Sequence, residues 1–186
     1  MLIKQAKLLE NNSALQADLL PGEYAVSCNE YPGNTLVMLA DKARDRASHY
    51  RGCSAEQSMT YACEDVVVNE LGARIIHEKD MKQWLDDVCD DEDIDTPLVI
   101  FNNRKKKTIA SVDVAMNVMC VQRETNTAVL LHEIAHLVAA SQEHGHVFRS
   151  ETVRLWRKHL SVEHGALLHS LFGKVQLTVD PWQALK

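Results

Sequence analysis

The 186-residue sequence has little of what marks secreted, membrane or nucleic-acid-binding chains. Its five cysteines, Cys28, Cys53, Cys63, Cys89 and Cys120, are odd in number and form no C-x-x-C pair. A secreted disulfide framework is therefore not expected. Each cysteine reads as a small buried hydrophobe, and a reducing cytoplasm is the expected compartment. The opening MLIKQAKLLENNSALQADLL contains no long apolar core of a signal peptide. No uncharged apolar run of about 18 residues occurs, so no membrane-spanning helix is expected. Positive charge is in deficit too: 20 Lys+Arg against 26 Asp+Glu give a formal net charge of -6. That balance argues against nucleic-acid binding through a broadly basic face. There is no internal repeat and no low-complexity tract. The length suits one domain over residues 1–186, with 1–34 as an N-terminal extension.

What is present is a series of patterned segments. Residues 4–20 carry a weak helical pattern, followed by breaks at Pro21-Gly22 and Pro32-Gly33. A helix is expected from Thr35 to near Gly52. A second is expected after Ser54 as its cap, with Glu56 and Gln57 in the first turn and Gly72 past the end. ARIIH reads as a short strand and EKDMKQWLDDVC as a helix. The acidic DDEDIDT opens like a calcium loop, but Thr96 stands where glycine is needed and Asn102 where a bidentate glutamate is needed, so it reads as a solvated loop. PLVIFNN is a continuous apolar strand. In IASVDVAMNVMCV, Val112, Val114, Met116 and Val118 alternate with Ser111, Asp113, Ala115 and Asn117, as in a half-buried strand. The two are expected to be antiparallel neighbours, with Arg104 to Lys107 at a charged hairpin tip. Asn126 or Thr127 can cap a helix through AVLLHEIAHLVAA, whose apolar stripe is Leu130, Ile134, Leu137 and Val138. Helices over about 148–160 and 163–172 and an irregular tail complete the chain.

The chemistry concentrates in LLHEIAHLVAASQEHGHVF, where four histidines and two glutamates interrupt an apolar helix. Burying so many titratable groups is costly unless they are paired. His132 and His136 lie four apart and project from one helix face, so two imidazoles can converge on a zinc ion. Glu133 is offset from that pair but can reach a water held there, which is the mechanical meaning of H-E-x-x-H. A catalytic zinc takes three protein ligands and a water. The third ligand must come from beyond the helix end, from His144 or His146, with Glu143 and Glu151 as carboxylate alternatives. Gly145 is free to adopt positive φ and reverse the chain there. His159, His164 and His169 have no comparable spacing and read as surface or packing residues.

HEIAH followed by HGHVF resembles the H-E-x-x-H…H-G-x-x-F/W pattern of SprT-like zincins, and more closely a small group of metallohydrolases from bacteria and their phages. The resemblance spans about Asp41 to Val179 and is diffuse outside the metal motif. It implies that His144, the histidine before glycine, is the third ligand, that His146 falls on a variable position, and that Phe148 is a packing aromatic. It also implies an α+β, zincin-like fold: a small antiparallel or mixed sheet packed on the metal-binding helix, with additional helices. The spacing is not that of a metzincin. No basic module of the kind that DNA-acting members carry is present, so a nucleic-acid partner is not expected.

The function expected is a zinc-dependent hydrolase, a metallopeptidase acting on a protein or peptide. His132, His136 and His144 would hold Zn2+, which brings a bound water to a pKa of about 7. Glu133 would take that water's proton and pass it to the leaving amine. His146 and Arg149 are near enough in sequence to be considered as second oxyanion donors. The alternative is a zinc-stabilised binding module, closed by a fourth ligand such as His146 or Glu143. A further one is a metal-free helical adaptor with a decayed site.

Overall fold

The computed structural model describes residues 33–102 and 109–182. The expected helix over 4–20, residues 1–32 of the N-terminal extension, Cys28 and the Arg104–Lys107 tip lie outside these residues, and the last two residues of that extension open α1. The described elements run α1 (Gly33–Ala47), α2 (Ala55–Leu71), β1 (Ile75–His77), α3 (Glu78–Asp91), β2 (Leu98–Asn102), β3 (Ala110–Asp113), β4 (Val118–Gln122), β5 (Glu124–Asn126), α4 (Thr127–Val138), α5 (His146–His159) and α6 (Val162–Lys174). This is an α+β arrangement, and none of its helices is long and apolar enough to cross a membrane.

Several boundaries follow from local chemistry that the sequence announces. The Ser54 side chain accepts from the Gln57 amide at the start of α2, and Gly72 closes that helix with φ 78°. Asn126, one of the two expected caps, accepts from the Val129 amide and starts α4. Ser161 caps α6 through the His164 amide. Such caps satisfy amides that have no partner inside the helix.

The strands form two small sheets. β1 pairs antiparallel with β5, Ile76 opposite Thr125. The other sheet has the order β2-β4-β3. Here the structure corrects the sequence reading. IASVDVAMNVMCV is not one strand but the two arms of a hairpin, β3 and β4. Asp113 Oδ1 accepts from the Met116 amide at 3.0 Å and Asn117 takes φ 49°. A local Asx turn therefore overrides the alternating pattern. Val112 is buried while Met116, expected on the same face, is 71 % exposed. Because the hairpin folds back, β4 lies between β2 and β3, and β2 pairs with it in parallel rather than antiparallel.

The core lies where α1, α2 and α6 pack on one another, α5 packs on α6, and α4 packs between α5 and β3. Leu130, Leu131, Ile134 and Ala135 of α4 are fully buried beside Phe148, Leu155, Trp156 and Phe172. Leu137 and Val138, the end of the expected stripe, are only partly buried. The acidic loop after α3 is solvated except for Glu92, whose side chain is 4 % exposed and bonded to Arg154, Lys158 and His159 of α5. Burial acts against the Glu92 carboxylate, but hydrogen bonds from His159, Arg154 and Lys158 prevail and hold it at about 2.

α5 and α6 approach so closely that only glycine fits between them. A Cβ on Gly165 would meet Arg157 Cβ at 2.5 Å and its Cα at 2.9 Å. Gly165→Ala is expected to destabilise the fold by about 1–3 kcal/mol through overpacking. Urea unfolding measures it; a variant as stable as the parent would show that the two helices separate without cost.

Candidate metal centre

α4 is buried along most of its length, and that burial includes His132, Glu133 and His136. The loop after it brings His144 back over the same face. The reversal is not made by Gly145, which has φ −72° and an extended backbone. Ala140 makes it, with φ 47°. The Ser141 amide reaches the His136 carbonyl at 3.1 Å and the Ala140 amide reaches the Leu137 carbonyl at 3.1 Å. That pair of bonds is the Schellman closure, which needs one left-handed residue. Alanine fills the position despite its Cβ because the two bonds capture carbonyls the helix end would leave open.

The three imidazoles converge. His132 Nε2 and His144 Nε2 are 3.1 Å apart. One ligand-forming nitrogen from each of His132, His136 and His144 lies within 4.8 Å of the others. Nitrogens bound to one tetrahedral zinc at 2.0–2.1 Å stand about 3.3 Å apart, so the donor set fits such an ion with small adjustments. Phe148 packs on all three rings, with centroids 4.3 to 4.9 Å away.

Each α4 imidazole is fixed by its other nitrogen. His136 Nδ1 donates to the Ser141 carbonyl at 2.8 Å, so the loop that the helix end closes also orients the ring. His132 Nδ1 donates to Glu64 Oε2 at 2.8 Å, both groups being buried. Outer partners of this kind set the tautomer and leave Nε2 facing inward. Burial pushes His132 down, but the charge and hydrogen bond of Glu64, with the charge of Glu133, outweigh it and raise the imidazole. Glu64 thus favours the protonated form of His132, whose Nδ1 faces that carboxylate and whose Nε2 faces His144. Burial, then the proximity of His132, lowers His136 to about 4 and His144 to about 3. Both therefore keep a free lone pair at neutral pH.

Glu133 is raised, chiefly by burial and also by Glu64, against the pull of His132 and of the nearby Val112 backbone on β3. A carboxyl raised in this way is a stronger base once ionised.

The remaining sequence candidates lie elsewhere. His146 opens α5 with its side chain half exposed and Nε2 2.8 Å from Asp180 Oδ1. Glu143 is exposed. Glu151 holds Arg154 at 2.7 Å. Arg149 is buried and fully committed: it donates to the His144 carbonyl at 2.7 Å, to the Thr178 carbonyl at 2.8 Å, and pairs with Glu56 at 2.9 Å. It fixes the backbone under His144 rather than facing the cluster. Asp91, Glu92 and His159 also gather donor atoms, but Lys158 and Arg154 already neutralise the carboxylates.

Sequence reasoning missed the contribution of α2. Glu64 supports His132, and the Tyr61 ring lies 5.3 Å from His132 and 4.8 Å from His144. Burial pushes the Tyr61 hydroxyl up to about 12. The available signal was Glu64 itself, a carboxylate among Ala62, Cys63, Val66 and Val67 on the buried side of α2.

In the ion-free protein, Glu64→Gln keeps an acceptor for His132 Nδ1 and removes the charge. The His132 titration is expected to move down, seen in imidazole nitrogen–proton NMR spectra. An unmoved titration would show that the carboxylate does not hold that proton.

No family model, curated protein or solved structure matches the chain.

Proposed function

We propose that the chain is a zinc-dependent hydrolase with a zincin-like site, and that its substrate is an amide bond in a peptide or protein. The observation that carries this reading is the convergence of His132, His136 and His144 beside the buried Glu133 carboxylate. A divalent ion held there supplies Lewis acidity toward a carbonyl oxygen and acidifies a coordinated water. The residues do the rest. His136 and His144 offer neutral nitrogens. His132 turns Nε2 inward, and Glu64 keeps its ring in place. Glu133 accepts the proton of the attacking water and returns it to the nitrogen of the leaving amine. Phe148 keeps bulk water from one side of the imidazoles, which strengthens the electrostatic interactions among them.

A purely structural zinc site is closed by four protein ligands. Among the described residues the cluster gathers three, and the fourth-ligand candidates are turned away: His146 toward Asp180 and Glu143 into solvent. An open position is what catalysis needs.

Two variants separate ion binding from chemistry. His136→Ala is expected to abolish stoichiometric zinc uptake in calorimetry. Glu133→Gln is expected to keep zinc and to cut hydrolysis of a pool of internally quenched peptides by about 100-fold or more. Undiminished hydrolysis by the Glu133→Gln protein would end the proton-transfer assignment. Absence of zinc uptake by the parent chain would end the reading as a whole.

A further inference from the structure

Hydrolysis of an amide at such a centre places negative charge on the carbonyl oxygen, and a fixed donor aimed at that charge is a large part of catalysis. The two donors nearest in sequence are engaged: Arg149 with the His144 carbonyl, Thr178 and Glu56, and His146 with Asp180. The candidate comes instead from α2, where Gln57, Tyr61 and Glu64 lie at i, i+4 and i+7 and so share one face.

We propose that Tyr61 is the second catalytic donor of this site: its hydroxyl hydrogen-bonds the oxyanion formed when the substrate carbonyl is attacked. The assignment rests on the hydrolase reading above. Four observations carry it. The Tyr61 ring packs on two of the three imidazoles, 4.8 Å from His144 and 5.3 Å from His132. Its oxygen accepts a hydrogen bond from Gln57 Nε2 at 3.0 Å, which fixes one lone pair, while the hydroxyl hydrogen has no acceptor among the described residues. The side chain is half-buried, so it can meet both the cluster and an incoming ligand. It is also held from both sides, by Tyr50 at 5.3 Å and by the imidazoles, so the donor is positioned before substrate arrives.

The step balances without further reagents. The water oxygen bonds to the carbonyl carbon as the C=O π pair moves onto oxygen, and Glu133 takes the water's proton. Tyr61 donates a hydrogen bond to that oxygen and keeps its own proton. When the C–N bond breaks, the pair leaves with nitrogen, Glu133 protonates the amine, and the C=O bond re-forms.

Tyr61→Phe removes one oxygen and keeps the ring packing, so the fold should persist; its thermal midpoint checks this. The decisive measurement uses cobalt-loaded full-length protein, parent and variant, titrated with two probes followed by absorption spectroscopy. Acetohydroxamate presents an oxyanion to the site, whereas 2-mercaptoethanol binds an ion through sulfur alone. The expected result is a loss of about tenfold or more in acetohydroxamate affinity, with 2-mercaptoethanol affinity changed less than about twofold. Where peptide hydrolysis is followed, kcat is expected to fall about 100-fold with KM nearly unchanged. Equal affinities for acetohydroxamate in parent and variant would overturn the assignment of Tyr61 and leave the hydrolase reading standing. A parallel loss for both probes would also overturn it, by showing that Tyr61 only supports the imidazoles. Failure of the parent to take up cobalt would remove the hydrolase reading, and the Tyr61 assignment with it.

Discussion

A buried imidazole presents a lone pair in a fixed direction only if its other nitrogen is held, and the arrangement around α4 follows from that constraint. His132 is held by Glu64 and His136 by the Ser141 carbonyl. The first bond requires α2 to lie across α4. The second requires the chain to turn back on itself directly after Val138. Without these anchors, His132 and His136 would each leave a buried polar nitrogen unpaired, at a cost of about 1–3 kcal/mol.

The rest of the molecule secures those two placements. Ala140 adopts a left-handed backbone so that the helix end can close, and the same closure delivers Ser141 to His136. Arg149, one turn into α5, clamps the His144 carbonyl and the Thr178 backbone together. Gly165 lets α6 press against α5, which carries both Arg149 and Phe148. β3 packs against α4 and brings the Val112 backbone near Glu133. The site is therefore assembled from α2, β3, α4 and α5, and only α4 and the start of α5 carry a recognisable motif.

That distribution explains what could be read from the sequence. The spacing of His132, Glu133 and His136 is a helical property, so their common face was legible, as were the caps at Ser54 and Asn126. Spacing alone left His144 and His146 open as the third member; the H-G-x-x-F resemblance favoured His144, and the structure brings that residue to the cluster. Gly145 looked like the hinge because glycine is the usual left-handed residue, yet the hydrogen bonds of the helix end set the turn at Ala140. The β3–β4 hairpin was hidden because its turn residues, Asp113 and Asn117, continue the alternation of the strands they separate. The contribution of Glu64 and Tyr61 depends on tertiary packing between α2 and α4. Nothing in a one-dimensional pattern links residues 68 positions apart.

The central claim is that three histidines leave one position of a bound ion open. X-ray absorption on the zinc-loaded chain tests it most directly. The account predicts a four-coordinate ion with three imidazole ligands and one non-protein oxygen. A shell closed by four protein ligands, or one without three imidazoles, would contradict it.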